Sequence, residues 1–417
     1  MAARFLRVRH RLAAAAASGT LIAAKLPSAA CDNDRNTSIE EREVLGAVIL
    51  FRHGARSAIF SLGDTANSKP PAYDTVHAPP QHAPPIKIAN GKNCHAQALP
   101  GSPGFLTELG WEQGEALGRH LQRRYGASAR ISAVLSTDTS RTTLTAHAVL
   151  TGFFDKALVS PGSVPTVLPP ASIDVIRGAP LAVDIGCNAL AADMSDGRAA
   201  HRAGDSNNIV ARQQFQGLIK TASLLSVLDD CIARRAHGIS PSFRIDTSLC
   251  DIATREASRE VRSALRYGGF KAARLAAGRL CEKTGRFLGD VQCEAQAATA
   301  RGEAPPAPRL LLLSGHDTSI MGLINAFAAV PSASRKVQAS DHTELLPDGT
   351  WPPHCSAIAI ELLSDGQVRV LYQFEPLFEQ PYPAFIKDLT SLSANDEQHD
   401  ALCGGGAGQG AMFNWAE

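Results

Sequence analysis

Five consecutive residues, Arg52-His53-Gly54-Ala55-Arg56, place two guanidinium groups and an imidazole in one short stretch. They follow the apolar run from Val44 to Phe51, which reads as a buried strand. A strand that ends in such residues sets cations and a histidine at the carboxyl edge of a sheet, where open α/β folds bind ligands. Arginine suits phosphoryl oxygens because its planar fork donates two hydrogen bonds at once and stays charged at any working pH. The chemistry suggested is attack by His53 on a phosphoryl group held by Arg52 and Arg56. Taken alone, the run has a second, plainer reading as a basic surface loop.

A second segment has the same form. Arg309-Leu310-Leu311-Leu312-Leu313-Ser314-Gly315 is an apolar strand that runs into His316-Asp317-Thr318. A third strand is expected over 131–137, leading into Asp138-Thr139-Ser140-Arg141. In this order and spacing, Arg-His-Gly-Ala-Arg, Ser-Thr-Asp-Thr-Ser-Arg-Thr and Ser-Gly-His-Asp-Thr resemble the histidine acid phosphatase family. The resemblance runs from about residue 44 to 403. Within the family the chain is most similar to the lysophosphatidic acid phosphatase type 6 branch, a mitochondrial group. Leu106-Thr107 to Tyr125 is shared by the whole family, whereas Trp351-Pro352-Pro353 with Glu361-Leu362, and His399 to Cys403, are more particular to the branch.

The resemblance implies an α/β fold: a doubly wound, mostly parallel sheet flanked by helices, phosphoglycerate mutase-like, with an inserted, mostly helical cap. It implies His53 as nucleophile, Asp317 as proton donor, and Arg52, Arg56, Arg141 and His316 as the phosphate-binding set, with no metal and no cofactor. Ala58 departs from the proline that many members carry there, which loosens the turn. His316 is expected to be protonated in its role. Arginines should lower the Asp317 pKa, so that it becomes an acid only once a phosphate dianion is bound. Asp317 can also cap the next helix through Thr318 and Ser319, and Glu344 is a distant alternative acid. His342 and His354 read as loop residues.

The substrate expected is a small phosphate monoester, with a lysophospholipid as candidate. A phytase-like inositol polyphosphate phosphatase and a phosphomutase are the alternatives. The first calls for a strongly basic rim, of which a net charge of +1 gives no sign. The second is disfavoured because mutases of the wider superfamily place a glutamate elsewhere for proton transfer. Nothing global points to nucleic acid, and the leucine runs are too short to span a bilayer.

The elements that must position these residues are legible in outline. The 417 residues suffice for one large α/β domain with an insertion, or for two domains. Residues 1–30 hold Arg4, Arg7, Arg9 and Arg11 and no acid, and read as a targeting peptide, mitochondrial in preference to secretory. A leader follows over 31–43. The catalytic domain is expected over 44–156 and 305–403, the cap over 157–304, and a Gly-rich tail over 404–417. Residues 61–104 form a Pro-rich loop whose His77, His82 and His95 lack metal-ligand spacing.

Helices are expected over 107–125 and 140–154, and in the cap over 214–235 and 247–287, without strands. Residues 356–363 and 367–374 should form a hairpin. Nine cysteines leave at least one thiol unpaired. Cys231, Cys250, Cys281 and Cys293 are candidates for one or two disulfides in an oxidising compartment, or simply buried small residues.

Overall fold

The computed structural model describes residues 42–60, 62, 71–76, 78–89, 102–155, 172–176, 187–204, 213, 223–241, 245–330, 336–337 and 345–403. Strand β1 (Val44–Arg52) runs through the middle of its sheet and is buried on both sides, as its unbroken apolar sequence requires. Ala47, Ile49 and Phe51 point to one face, and Leu45, Val48 and Leu50 to the other. Burying each large apolar side chain contributes roughly 1.5–3 kcal/mol. The strand therefore fixes its own register, and the polar motif after it goes where the strand puts it.

The sheet has nine strands in the order β2-β4-β3-β5-β1-β7-β8-β9-β6. The strands are β2 (Lys87–Ala89), β3 (Arg130–Thr137), β4 (Ser172–Ile176), β5 (Arg309–Gly315), β6 (Lys336–Val337), β7 (Ala357–Leu363), β8 (Gln367–Tyr372) and β9 (Glu375–Pro381). From β2 to β1 the neighbours are parallel; from β1 to β6 they are antiparallel. The expected doubly wound sheet is thus mixed, because the C-terminal hairpin continues as a meander into β9.

Helices α1 (Glu108–Tyr125) and α2 (Ser140–Phe153) cover one face through Leu117, Leu121, Val149 and Phe153. Thr107 caps α1 by accepting the Gly110 N–H at 3.3 Å. The segment expected as a cap holds α3 (Asn188–Gly204), α4 (Leu224–Ala236) and α5 (Thr247–Ala300). Helix α5 breaks at Tyr267–Phe270, where Gly268, Gly269 and Phe270 take φ of 60°, 75° and 65°. Its first arm packs Cys250, Ala253 and Ala257 against Leu224, Val227 and Leu228 of α4. Its second arm lies on the other sheet face, with α6 (Asp317–Ala328) and α7 (Tyr382–Leu392). The chain closes with α8 (Asp396–Cys403).

Three expectations change here. The segment 157–304 contains a sheet strand, β4, which pairs in parallel with β3, and its last helical arm belongs to the sheet's packing. The helix expected over 247–287 continues to Ala300. The 61–104 loop contributes β2 and a bridge between Thr75 and Thr107. Residues 1–41, the tail after Cys403, His77, His95, His342 and Glu344 lie outside the described residues.

Two disulfides are present. Cys231–Cys250 is among the expected candidates and ties α4 to α5, and closing a loop of 19 residues contributes about 3 kcal/mol. Cys187–Cys403 joins the cap to the last helix across 216 residues. Cys281 and Cys293 are free thiols.

Candidate active site

Parallel pairing of β1 with β5 sets Arg52 opposite Gly315. The residues that follow each strand are therefore neighbours. The His53 N–H donates to the Gly315 carbonyl at 3.0 Å, and the His53 and His316 rings meet edge-on with centroids 5.6 Å apart. On the far side of β5, β3 ends at Thr137, whose Oγ1 lies 3.0 Å from His316 Nε2. Arg141 follows in the first turn of α2. One turn later Thr145 Oγ1 donates to the Arg141 carbonyl at 2.7 Å and accepts the Gly54 N–H at 3.0 Å.

The loop 53–56 rests on the start of α1. A Cβ at Gly54 would meet the Gly110 carbonyl oxygen at 2.2 Å, and one at Gly110 would meet the Ala55 oxygen at 2.1 Å. Only glycine on both sides allows this approach. Gln113 Oε1 accepts the Ala55 N–H at 2.9 Å.

His53 is buried, and its Nδ1 lies 2.8 Å from the Gly54 carbonyl oxygen. A carbonyl can only accept, so Nδ1 carries the proton and the Nε2 lone pair is free. Burial, then the charges of Arg141, Arg52 and Arg56, hold its pKa well below the ordinary histidine value. The ring is therefore neutral and nucleophilic across the physiological range.

Arg52 donates Nη1 to the Pro352 carbonyl at 2.5 Å and pairs Nη2 with Asp317 Oδ2 at 2.8 Å. Arg56 donates Nη1 to the Ser57 carbonyl and pairs Nη2 with Asp229 at 2.5 Å. The Nε groups of both arginines are buried and make no hydrogen bond within the described residues. Two charged side chains with unbonded buried donors, both bearing on a free imidazole, suit an anion with several oxygens.

His316 is expected to be protonated when it holds phosphate; without a bound anion its surroundings oppose the charge. Burial first, then Arg141 and more weakly Arg56 and Arg52, push its pKa down to about 3, against the opposing pull of Asp317. In the ligand-free site it is neutral and offers a neutral N–H. Asp317 is not the helix cap: His316 is the N-cap of α6, and among the described residues Asp317 Oδ1 accepts only the Thr318 N–H at 2.8 Å. Burial would raise the Asp317 pKa. Arg52, Arg56, His316 and a hydrogen bond from Trp351 outweigh burial and hold it below the usual carboxylate value.

The site residues expected from sequence, His53, Asp317, Arg52, Arg56 and His316, come together with the Arg141 charge bearing on both imidazoles. Sequence reading noted Trp351-Pro352-Pro353 only as a branch resemblance and gave the segment 351–356 no part in the site. Trp351 Nε1 donates to Asp317 Oδ2 at 3.0 Å, and the Cys355 N–H donates to the His53 carbonyl at 3.2 Å. The Arg52 N–H donates to the Ser356 carbonyl at 2.9 Å. Cys355 takes a φ of 54°, uncommon for a residue with a Cβ.

His354, read as a loop residue, stands 5.9 Å from the His53 ring and is half-buried. Burial, Arg52 and Arg56 lower its pKa strongly. Paired prolines were the only local signal for this segment. His82 is exposed on its loop, bonded to Glu115, as expected. Among the described residues, the cluster of metal-ligand types is Cys187, His399 and Cys403, and its two sulfurs are joined in the disulfide. No helix among the described residues is long and apolar enough to cross a membrane.

Similar folds are found among solved phytases. The Citrobacter braakii enzyme is 14% identical, with 84% of this chain and 98% of that chain covered and a TM-score of 0.49. The D. castellii phytase is 12% identical, with 90% and 85% covered and a TM-score of 0.49. The Bifidobacterium longum multiple inositol polyphosphate phosphatase, in complex with inositol hexasulfate, is 12% identical, with 84% and 90% covered and a TM-score of 0.45. No curated protein matches the sequence. The family description that matches, over residues 43–373, spans all three strand-end motifs, and by it the chain belongs to the histidine phosphatase superfamily (branch 2).

Proposed function

We propose that this phosphatase hydrolyses phosphate monoesters through a covalent phosphohistidine on His53, with Asp317 as proton donor. The observation that carries this reading is the His53 ring. Its Nδ1 proton is committed to Gly54, its Nε2 is free, and the charges of Arg52 and Arg56, each with a buried Nε unbonded among the described residues, bear on it. In the first step Nε2 bonds to phosphorus as the ester P–O bond breaks, and the Asp317 carboxyl gives its proton to the leaving alkoxide. In the second, the Asp317 carboxylate takes a proton from water whose oxygen attacks phosphorus. The N–P bond then breaks and inorganic phosphate leaves. Arg52, Arg56 and Arg141, with His316 as a further donor, hold the oxygens in line.

The charge balance supports Asp317 as an acid. Three arginines face the carboxylates of Asp317 and Asp229, and a phosphate dianion tips the site to net negative. Uptake of a proton by Asp317 restores neutrality. This favours activity at acid pH with substrate bound.

Lysophosphatidic acid is the finer substrate candidate. It rests on the resemblance of Trp351-Pro352-Pro353 and His399–Cys403 to that branch, and both segments have structural duties here, one bracing Asp317 and the other holding Cys403 in a disulfide. A mitochondrial address follows from residues 1–30. The two disulfides support the alternative, a secreted protein or one of the endomembrane lumen, since such bonds persist where conditions oxidise.

The test is phosphate release by the purified chain from lysophosphatidic acid, an aryl phosphate, phytate and phosphotyrosine, combined with acid-quench labelling. Label on histidine, lost with all turnover in His53→Ala, is the expected result. Label on Ser57 or an aspartate, or a requirement for a phosphorylated primer, would overturn the reading.

A further inference from the structure

Asp229 belongs to cap helix α4, yet its carboxylate is fastened to the loop that follows the nucleophile. Oδ1 receives Arg56 Nη2 at 2.5 Å. Oδ2 receives the backbone N–H of Ile59 at 2.6 Å and of Phe60 at 3.0 Å. The Asp229 side chain is only 10% exposed. Arg56 is held at a second point, Nη1 to the Ser57 carbonyl at 3.0 Å, and its buried Nε is left without a partner among the described residues. Resting on the phosphatase reading above, we propose that Asp229 is a positioning residue for Arg56, through which the helical cap sets one arm of the phosphate cradle.

Three points support this. A guanidinium is a rigid plane on a flexible stem, so two fixed Nη groups fix the direction of the remaining Nε–H. Of the three guanidinium nitrogens it is the one with no partner among the described residues, a donor open to a ligand. The turn after Arg56 carries Ala58, which constrains the chain little, and the two amides on Asp229 supply the rigidity that a ring would otherwise give. Finally, among the described residues no group on the sheet does this for Arg56: its other bond is to its own neighbour, Ser57. The arginine that contacts the anion is thus aimed by a residue from a different part of the chain.

Charge alone argues for the opposite effect. Asp229 is an anion near an anion site, so its removal would tighten phosphate binding if electrostatics dominated. Contact with Arg56 largely cancels the carboxylate's field at a distance, whereas loss of the contact frees the whole fork to rotate. Positioning therefore wins, and the sign of the effect decides between the two.

The experiment is calorimetric binding of inorganic phosphate to the full chain, at one pH and salt, for wild type, Asp229→Ala, Arg56→Ala and the double variant, with melting temperatures as the check on folding. Asp229→Ala should bind phosphate roughly tenfold more weakly. In the Arg56→Ala background the same change should matter less than about twofold, because a residue that acts through Arg56 has nothing left to act on.

Should Asp229→Ala not fold, Asp229→Asn serves. Its amide oxygen keeps the Ile59 and Phe60 N–H bonds while Arg56 loses its acceptor, and weaker phosphate binding is again expected. Binding equal to or tighter than wild type in either variant, or an equal loss with and without Arg56, would overturn the proposal. A wild-type chain that neither binds nor releases phosphate would overturn the phosphatase reading as well.

Discussion

Trp351 and Asp317 are joined by a hydrogen bond from indole Nε1 to carboxylate Oδ2, 3.0 Å long. The same oxygen receives Arg52 Nη2 at 2.8 Å. The proposed proton donor is therefore held on one oxygen by an arginine and an indole, and on the other by the Thr318 N–H. All three partners favour its ionised form, and a bound phosphate must work against them before Asp317 can carry a proton.

Asp317→Asn should slow an alkyl phosphate, whose leaving group needs a proton, by about a hundred- to ten-thousandfold. An activated aryl phosphate should lose far less. The ratio of the two rates in wild type and variant is the measurement. Equal slowing of both substrates would contradict the acid role, and a small loss for both would point to a different donor.

Trp351→Phe keeps the bulk of the ring and removes the hydrogen bond. The bond lowers the Asp317 pKa, so its loss should raise it. Because the first step needs the carboxyl protonated, the alkaline limb of the kcat profile should move up by about one pH unit. A limb that stays in place, or moves to lower pH, would show that Trp351 does not tune this group.

Much of this site was legible because its residues sit at the ends of strands that announce themselves. Val44–Phe51 and Leu310–Leu313 are apolar without interruption, and each ends in its histidine motif, so strand and chemistry were read together. β4 was not legible. Ser-Ile-Asp-Val-Ile is five residues long, follows a Pro-rich stretch, and owes its place to parallel pairing with β3. The parts that Asp229, Trp351 and His354 play in the site were missed for a related reason. Their duties arise only when α4 and the segment before β7 dock against the motif loop, and nothing local in the sequence encodes that docking. The Cys187–Cys403 pair, 216 residues apart, is equally silent in spacing.

Gly110→Ala should be among the most damaging small substitutions. The added methyl would overlap the Ala55 carbonyl oxygen, and backbone on backbone leaves no flexible side chain to give way. Overpacking of this kind costs about 1–3 kcal/mol, and here the yielding element is the loop that carries His53. Both a lower melting temperature and at least tenfold lower kcat/KM are expected. A variant with wild-type values in both would show that helix α1 and the loop are less closely apposed.

Activity should survive chelators. Arg52, Arg56 and Arg141 supply the positive charge that a divalent ion would bring to phosphoryl transfer. Assays with and without EDTA decide this. Loss of turnover that a divalent ion restores would mean that the arginines do not suffice.

His316 gives the acid side of the stability curve its sign. Its pKa is about 3 in the folded, ligand-free protein and ordinarily about 6.5, so below pH 6.5 the unfolded chain binds a proton that the folded one refuses. The group's stabilising contribution is full above pH 6.5 and is lost as pH falls toward 3, at about 1.4 kcal/mol per pH unit. His53 and His354 are shifted in the same direction and add to the slope. The melting temperature of the free protein should therefore fall by several degrees between pH 6.5 and 4.5. His316→Asn should flatten that fall. Saturating phosphate should flatten it too, since the bound anion offsets the arginines and lets His316 take its proton while folded. Parallel slopes for wild type and His316→Asn would refute the assignment. If they diverge, the protein is least stable in acid when its site is empty, and bound phosphate restores the stability lost.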